Sequence, residues 1–591
     1  MSEASYIKGG SFLVREATPD EVFTPEDLTS EQLQFAKTAH DFVVNEVIPL
    51  SDRIESKEFD VTRELFRKAG ELGLLMADVP EEFGGLGLDK ASSALITENM
   101  SGQGSFSVMY GAHVGIGTLP IVYYGTPELK QKYLPGLADG STVGCYCLTE
   151  PQAGSDALSG RTKAVLSADK THYLLNGTKQ FITNGGLAKV FTVFAKIDGE
   201  HFTGFVVDRD TPGLTIGPEE HKLGIQGSST TTVILEDAVV PAANVLGEIG
   251  QGHKIAFNIL NIGRFKLGAG CVGSCRFAIE HALAYALERK QFGKRLADFG
   301  LIREKLAEMF VRTYAAQAAV YRTVGLIDHR LQAGGGDHGQ AALQSIEEYS
   351  VECAMVKVIG SEALDYVVDE AVQVFGGYGY CAEYPVERYY RDSRINRIFE
   401  GTNEINRMLV PGMLLRKAMK GEIPLFQAAK ALQEELMGIP SFDLEAETGL
   451  LDAEKKLVAN LKKVALFVAG VAAQKYGKAL AEQQAVLSRL AELCMAAYTA
   501  ESTLLRALKD AARRGEAAAA LPVAAARIAC EESMNQAEGV AREGLAAMES
   551  GDTLTTMLAA LRRLLRRTPA DTVGLREIIA AKLVEMERLV N

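Results

Sequence analysis

The chain has 591 residues, no tryptophan and only eight cysteines. The closest cysteine pairs, Cys145/Cys147 and Cys271/Cys275, have no matching second half elsewhere. That spacing argues against a zinc-binding module, and scattered thiols fit a reducing compartment better than a disulfide scaffold. The nine histidines form no ligand pair at helical spacing, so no metal is expected. Positive charge is also short: 62 Lys and Arg against 76 Asp and Glu leave a net charge of −14. A nucleic-acid binder needs a basic face to meet phosphates, and this balance argues against one. The longest apolar run, Val464 to Ala473, is too short to cross a bilayer. The first residues, MSEASYIKGGSFLVRE, lack an apolar core and carry early acids, unlike a secretory signal or a transit peptide. A soluble, cytoplasmic protein is the expectation.

What is present is ordinary globular composition, 47% hydrophobic and 23% charged. The length exceeds what one core supports, so three or four domains are expected. Residues 25–144 read as helical: Leu33, Ala36, His40, Val43, Val44 and Val47 recur at helical spacing, as do Leu65, Ala69 and Leu72. VPEEFGGLGLD (Val79 to Asp89) has glycines but no preceding strand, so it reads as a tight interhelical loop, not a dinucleotide fingerprint. Gly111, Gly115 and Gly117 sit within or beside a helix, where glycine costs stability. Close packing is the first reading of the three, and room for a ligand the second. Residues 145–245 change texture: FTVFAKI, FTGFVVD and STTTVILED read as strands, with Asn176-Gly177 as a hairpin turn. A small barrel or sandwich is expected there. Helices return over 250–420, with a flexible turn at Leu331 to Gly339. Proline and glycine gather from Pro411 to Pro440, placing a boundary near 421–445 before a helical extension, 425–591. In that extension Leu554, Met557, Leu558, Leu561, Leu564 and Leu565 oppose Arg562, Arg563, Arg566 and Arg567. Such a helix packs on its own protein in the first reading and lies on an anionic membrane in the second. The fold class is mainly α with a central β domain.

The stretch that organises the rest is Gln373 to Arg407, QVFGGYGYCAEYPVERYYRDSRINRIFEGTNEINR. Ile398 and Phe399 surround Glu400 with apolar groups, and desolvation raises a carboxylate towards the range of a general base. Thr402 is suited to cap the next helix, whose positive end pulls the other way. Burial wins if a greasy substrate closes the site, and the helix end wins if water stays. The plain alternative is a loop glutamate before a capped helix. Arg388, Arg391, Arg394 and Arg397 form a stripe read as structural pairing, with Glu387 and Asp392 as partners.

With GGYGY, YYRD and FEGTNEI in order, this stretch resembles the active-site region of the acyl-CoA dehydrogenase family, specifically its very-long-chain branch. The resemblance implies a helical N-terminal domain, a β domain, a helical bundle and an appended helical domain. It implies FAD as cofactor and Glu400 as the base that removes the α-proton of an acyl-CoA. YCLTEPQAGSDA (146–157) reads alone as a turn open to an anion, and is similar to the family's first flavin signature. Tyr146, Leu148 and Thr149 are then implied along the flavin, and Ser155 near phosphate or the thioester. QFITNGG (180–186) resembles the second signature, with Phe181 stacking on the ring and Thr183 bonding near N5. Phe181 stands where many members have tryptophan; it keeps the π-face and loses the indole N–H. In ILNIGRFKLGAG (259–270), Asn261 and Arg264 are implied at the thioester end, together with Gly401. Gly263 stands where other branches carry the catalytic carboxylate, which leaves Glu400 as the candidate.

Arg289, Gln291 and Phe292, with Gln373, Gly376 and Gly377, are implied to reach the FAD of a neighbouring subunit, Arg289 facing the pyrophosphate. Thr402 and Glu404 are implied cofactor neighbours. The small residues near Gly111 resemble the wall of a deep acyl tube. The resemblance further implies a homo-oligomer (a dimer, if the extension covers a pairing surface), an electron-transferring flavoprotein as partner, and peripheral membrane contact through the C-terminal region. An acyl-CoA oxidase that reduces oxygen and a non-catalytic assembly protein of the same fold are the alternatives.

Overall fold

The computed structural model describes residues 6–333, 338–438 and 449–589. The first layer is helical: α1 (Ser30–Phe42), α2 (Ser51–Glu55), α3 (Phe59–Glu71), α4 (Lys90–Asn99), α5 (Gly104–Gly111), α6 (Leu119–Tyr124) and α7 (Pro127–Ala138). Helix α1 opens on a capping box, Thr29 accepting from Gln32 N–H while the Gln32 side chain accepts from Thr29 N–H. The core side of α1 is Gln32, Ala39 and Phe42, followed by Val43 and Val47; of the expected face Val43 and Val47 are buried, Ala36 and His40 half-buried, while Leu33, 52% exposed, and Val44 face outward. Gln32 turns inward because its amide donates to Asp89 and Ser92, and that rotates the helix away from Leu33. Leu72 lies just past α3 and is also exposed. The Val79–Asp89 segment is the expected loop, with Gly84 and Gly87 left-handed and Asp89 capping α4.

The second layer is one mixed sheet of β1 (Gly144–Cys147), β2 (Lys163–Leu166), β3 (His172–Thr183), β4 (Val190–Ile197), β5 (His201–Asp208), β6 (Leu214–Glu219), β7 (Thr230–Pro241) and β8 (Val245–Leu246). The strand order is β6-β7-β3-β2-β4-β5-β8, with β1 added parallel to β4. Asn176-Gly177 is not a hairpin: β3 runs unbroken through it and the pair marks a bulge against β7. There Asn176 donates to the Asp237 carboxylate and accepts from Asp237 N–H, closing the bulge with its side chain. Hairpins in this region turn instead at residues 167–171, between β2 and β3, and at Asp198 and Gly199, both left-handed, between β4 and β5.

The third layer is α8 (Gly252–Glu288), a short hairpin of β9 (Lys290–Gln291) and β10 (Lys294–Arg295), α9 (Gly300–Ala333), α10 (His338–Glu348), α11 (Ser350–Phe375), α12 (Pro385–Ser393) and α13 (Asn403–Met419). Residues 334–337 of the expected turn before α10 lie outside the described residues. Helices α8 and α11 are its centre, and they approach closely where Gly268 meets Gly360. Helix α13 continues through Pro411, so the boundary comes later than the first proline suggests. Helix α14 (Leu425–Met437) occupies part of the expected boundary, and 439–448 lie outside the described residues.

The extension is α15 (Asp452–Tyr476), α16 (Gln484–Arg514), α17 (Ala520–Met548), α18 (Gly551–Leu564) and α19 (Thr572–Met586). It is fastened by buried charge: Arg322 of α9 pairs with Glu501 of α16 at 2.9 Å, and Arg506 pairs with Glu26 at 2.8 Å. On α18, Leu561 and Leu564 are buried, and Leu554, Met557 and Leu558 pack against the core. Arg562 and Arg566 stay exposed while Arg567 pairs with Glu531. The apolar face is thus used inside the fold. Two helical stretches, Gly104–Tyr124 and Asp452–Glu482, are long and apolar enough to cross a membrane, counter to the reading from unbroken apolar runs. Within the fold, 78% and 56% of their most apolar windows are buried, as core helices require.

Candidate active site

Glu400 sits in the short connection before α13, and its backbone is left-handed, φ 56°, as is that of Gly401, φ 78°. For a residue with a Cβ this conformation costs about 1–2 kcal/mol, so neighbours must hold it. Two buried cations do. Arg264 of α8 donates through Nε to the Glu400 carbonyl at 3.3 Å. Lys357 of α11 donates to the Gly401 carbonyl at 2.8 Å, and Asn406 donates to the same oxygen at 2.9 Å. Thr402 then caps α13 by accepting from Ile405 N–H at 3.2 Å. Asn261 supports Arg264, accepting from its Nη1 at 2.7 Å.

Burial pushes the Glu400 carboxyl up to about 7, against the pull of Arg264 and Lys357. Desolvation, the effect expected from the apolar neighbours, outweighs these two cations. Glu400 Oε2 is out of solvent and has no hydrogen-bond partner among the described residues. Gly263 faces it from α8: a Cβ at that position would fall 2.6 Å from Oε2. A side chain at 263 and the carboxylate of 400 therefore compete for one point in space.

The carboxylate borders a cavity that Thr183, Gly263, Phe399, Gly111 and Gly115 also line. The three glycines of the fifth helix and its π-turn separate into both expected roles. A Cβ on Gly111 or Gly115 would meet nothing within 4 Å, whereas one on Gly117 would be 2.8 Å from the Gly144 backbone. Gly111 and Gly115 keep the cavity open and Gly117 lets two backbones touch. Further in, Thr97, Ser101 and Ser274 are part of the wall. Their hydroxyls donate to the carbonyls of Ser93, Thr97 and Ser101 at 2.8, 2.7 and 3.1 Å. With those donors already engaged, the wall is small more than it is polar.

Asp392 also lines this cavity and corrects the reading of the arginine stripe. It pairs with none of those arginines; it is buried and accepts a hydrogen bond from Ile225 N–H, bridging α12 to the β domain. Burial pushes its carboxyl up to about 7. The stripe breaks at Ser393, where α12 becomes a 3-10 turn. Arg391 pairs with Glu387, Arg388 with Asp52 and Arg397 with Asp365.

The flavin-signature residues gather around the open side of the cleft. Thr183 lines the cavity beside Glu400, and Phe181, two residues earlier, is 60% exposed with φ 57°. The Thr149 carbonyl accepts from Gln180 N–H at 2.9 Å, tying the two signature loops together. Leu148 and Tyr146 are buried, and the Tyr146 hydroxyl has no partner among the described residues. Ser155 is exposed, and a Cβ on neighbouring Gly154 would meet nothing within 4 Å. An orphaned buried hydroxyl, an offered aromatic face and an open glycine cradle fit a flavin nucleotide.

A second group lies elsewhere. From Arg264 to Glu288 along α8 is roughly 36 Å at the helical rise. At that far end Arg289 stacks its guanidinium over Tyr378 of the GGYGY turn, 5.4 Å from the ring centroid. Gln291, Gln373, Gly376 and Gly377 are exposed beside it, and Phe292 is 94% exposed at the left-handed tip of the β9–β10 hairpin. Glu404 is exposed on the first turn of α13 and makes no contact with this group that the hydrogen bonds record. The expected residues therefore fall into an inner set around Glu400 and an outer set around Phe292.

Lys357 and Asn403 were not legible as site residues. Lys357 is fully buried and also donates to Asn403 Oδ1 at 2.7 Å, while Asn403 reaches back to Ser361 and Glu362. The one available signal was a lone lysine inside the apolar run AMVKVIG.

Comparison with known proteins agrees with this geometry. Family models described as acyl-CoA dehydrogenase N-terminal, middle and C-terminal domains match residues 29–141, 145–238 and 250–414, and a further C-terminal domain model matches 460–563. The chain is 52% identical over 588 residues to a "Probable acyl-CoA dehydrogenase" of Bacillus subtilis (strain 168), covering 99% of both. It is 36% identical to the human mitochondrial very long-chain specific acyl-CoA dehydrogenase, over 90% of this chain and 83% of that one. A crystal structure of an acyl-CoA dehydrogenase complexed with FAD from Bacillus anthracis superposes with a TM-score of 0.96 at 54% identity, covering 99% of this chain and 100% of that one. The cleft, the poised carboxylate and these matches agree: the chain is an FAD-dependent enzyme that belongs to the acyl-CoA dehydrogenase family.

Proposed function

We propose that the protein dehydrogenates long-chain fatty acyl-CoA to trans-2-enoyl-CoA in fatty acid β-oxidation and passes the electrons to an electron-transferring flavoprotein. The observation that carries this reading is Glu400: a carboxyl raised to about 7, with an unpartnered oxygen bordering a cavity that Thr183 also lines. Bound FAD supplies the two-electron acceptor for the β-hydrogen, which leaves as hydride. The chain's own part is the α-proton. Glu400 takes it, and desolvation makes the carboxylate basic enough to do so. The Glu400 backbone N–H is positioned by the left-handed turn to polarise the thioester carbonyl, stabilising the developing enolate. Phe181 and Thr183 would hold the ring on the open side of the cleft. The open wall at Gly111 and Gly115 supports a long acyl chain.

The outer set supports a homo-oligomer, preferentially a dimer. Phe292, Tyr380 and Leu301 are 94%, 89% and 74% exposed, an apolar edge suited to a second copy whose FAD it would help cover. A cytoplasmic setting is supported by eight free cysteines, seven of them buried.

The test is anaerobic titration of the purified yellow protein with acyl-CoAs of increasing chain length. Bleaching strongest with long chains, and little peroxide when the reaction is repeated in air, is the expected result. Stoichiometric peroxide would make it an oxidase, and a colourless protein that binds no FAD would make it an assembly protein.

A further inference from the structure

The base rests on a turn that two cations hold, and one of them has no assigned part in the reaction. Consecutive carbonyls, those of Glu400 and Gly401, accept from Arg264 on α8 and Lys357 on α11. Both residues of the turn are left-handed, so each carbonyl points where an ordinary loop would not send it. Lys357 is fully buried in an otherwise apolar stretch of α11, a costly location for an ammonium. Its contacts are the Gly401 carbonyl and Asn403, and Asn403 is in turn bonded to Ser361 and Glu362 one turn further along α11. The first turn of α13 is thereby bolted to α11 immediately after Glu400.

We propose that Lys357 is a positioning residue of this active site, fixing the turn that aims Glu400 and setting a buried positive charge beside it. The charged and titratable groups that face Glu400 are few: Arg264 from α8, Lys357 from α11 and the Tyr146 hydroxyl from β1. Lys357 is faced in addition by Cys271 of α8 and, from the exposed side, by Glu404 of α13, and both favour its charged form. Arg264 and Lys357 both lower the Glu400 carboxyl, against the larger effect of burial. Burial holds the lysine itself down to about 8, so it stays charged where the base titrates. Removing its charge raises the Glu400 midpoint and narrows the pH range in which the base is ionised.

This inference uses the role of Glu400 proposed above, so the experiment reads the carboxyl directly as well as the rate. In the FAD-loaded enzyme, infrared titration follows the protonated-carboxyl band that Glu400→Gln abolishes. Lys357→Met raises the midpoint of that band by about one unit or more, the range for loss of a nearby opposite charge. It also slows flavin bleaching about fivefold or more at pH 7, as the ionised fraction falls. Asn403→Ala, which keeps the charge and removes the bolt, slows bleaching with the midpoint unchanged. A merely structural lysine would lower the melting temperature and leave the midpoint in place, and that result overturns the proposal. Should Lys357→Met give no folded flavoprotein, Lys357→Arg decides: it keeps the midpoint and slows bleaching, because a planar fork cannot reproduce a point contact. A raised midpoint or a wild-type rate in Lys357→Arg overturns the proposal equally. A wild-type flavin that no acyl-CoA bleaches defeats the proposed function, while the infrared midpoints still judge Lys357.

Discussion

The inner and outer groups of site residues are built on opposite principles. Around Glu400 the backbone of the turn is held by this chain: Arg264, Lys357, Asn261 and Asn403 are buried, and hydrogen bonds fix the turn. Around Phe292 the residues are exposed, and the principal order is a stacked guanidinium and a two-residue hairpin. The first region is finished within one subunit, whereas the second presents apolar surface that a lone chain leaves in water. Preorganisation belongs where charge develops during a reaction, and an unfinished surface belongs where another molecule completes it.

The sharpest way to test that contrast is Glu400→Gln. The inner group loses its base and keeps its shape, so flavin bleaching by acyl-CoA falls about 10²–10⁴-fold while FAD content is unchanged. Stopped-flow absorbance on the FAD-loaded protein reads both. Because burial raises this carboxyl to about 7, the wild-type rate rises as pH climbs through 7 and levels off above it. A rate already flat from pH 5 to 9 would mean that some other group is the base.

Phe292→Asp addresses the other side of the comparison. It leaves the Glu400 midpoint untouched and weakens self-association roughly ten- to a hundredfold, the worth of one buried phenylalanine side chain. Sedimentation and retained FAD after gel filtration measure it; an unaltered assembly would place the subunit contact elsewhere. The smallest effect is expected from Gly115→Leu, at a cavity position where an added Cβ meets nothing within 4 Å. Long acyl-CoAs lose about tenfold in kcat/KM and short ones keep theirs, a split that steady-state assays across chain lengths resolve.

Much of this arrangement was legible beforehand, for identifiable reasons. From its neighbours alone the EGT glutamate is open to two readings, a desolvated base beside Ile398 and Phe399 or a loop residue before the helix that Thr402 caps, and the resemblance of FEGTNEI to the family motif is what singles it out. The layered α, β, α order follows from the shift in periodicity near Cys145 and back near Gly252. What escaped were matters of rotation and of long-range partners. Helix α1 faces the core through Gln32 because Asp89 and Ser92, some 60 positions on, supply its hydrogen bonds. Asn176-Gly177 has turn chemistry, yet β7 offers Asp237 to complete a bulge, and pairing with that strand overrides the local preference. Lys357 was invisible because its acceptors, at 401 and 403, are more than forty residues away.

The salt bridges that anchor the extension have a further consequence. Arg322 points from α9 into α16, and α17 and α19 lie along the same helix. That flank is already taken, so any assembly of this chain must grow from its other sides. A second copy of the chain has no access to that flank of α9 while the extension lies on it.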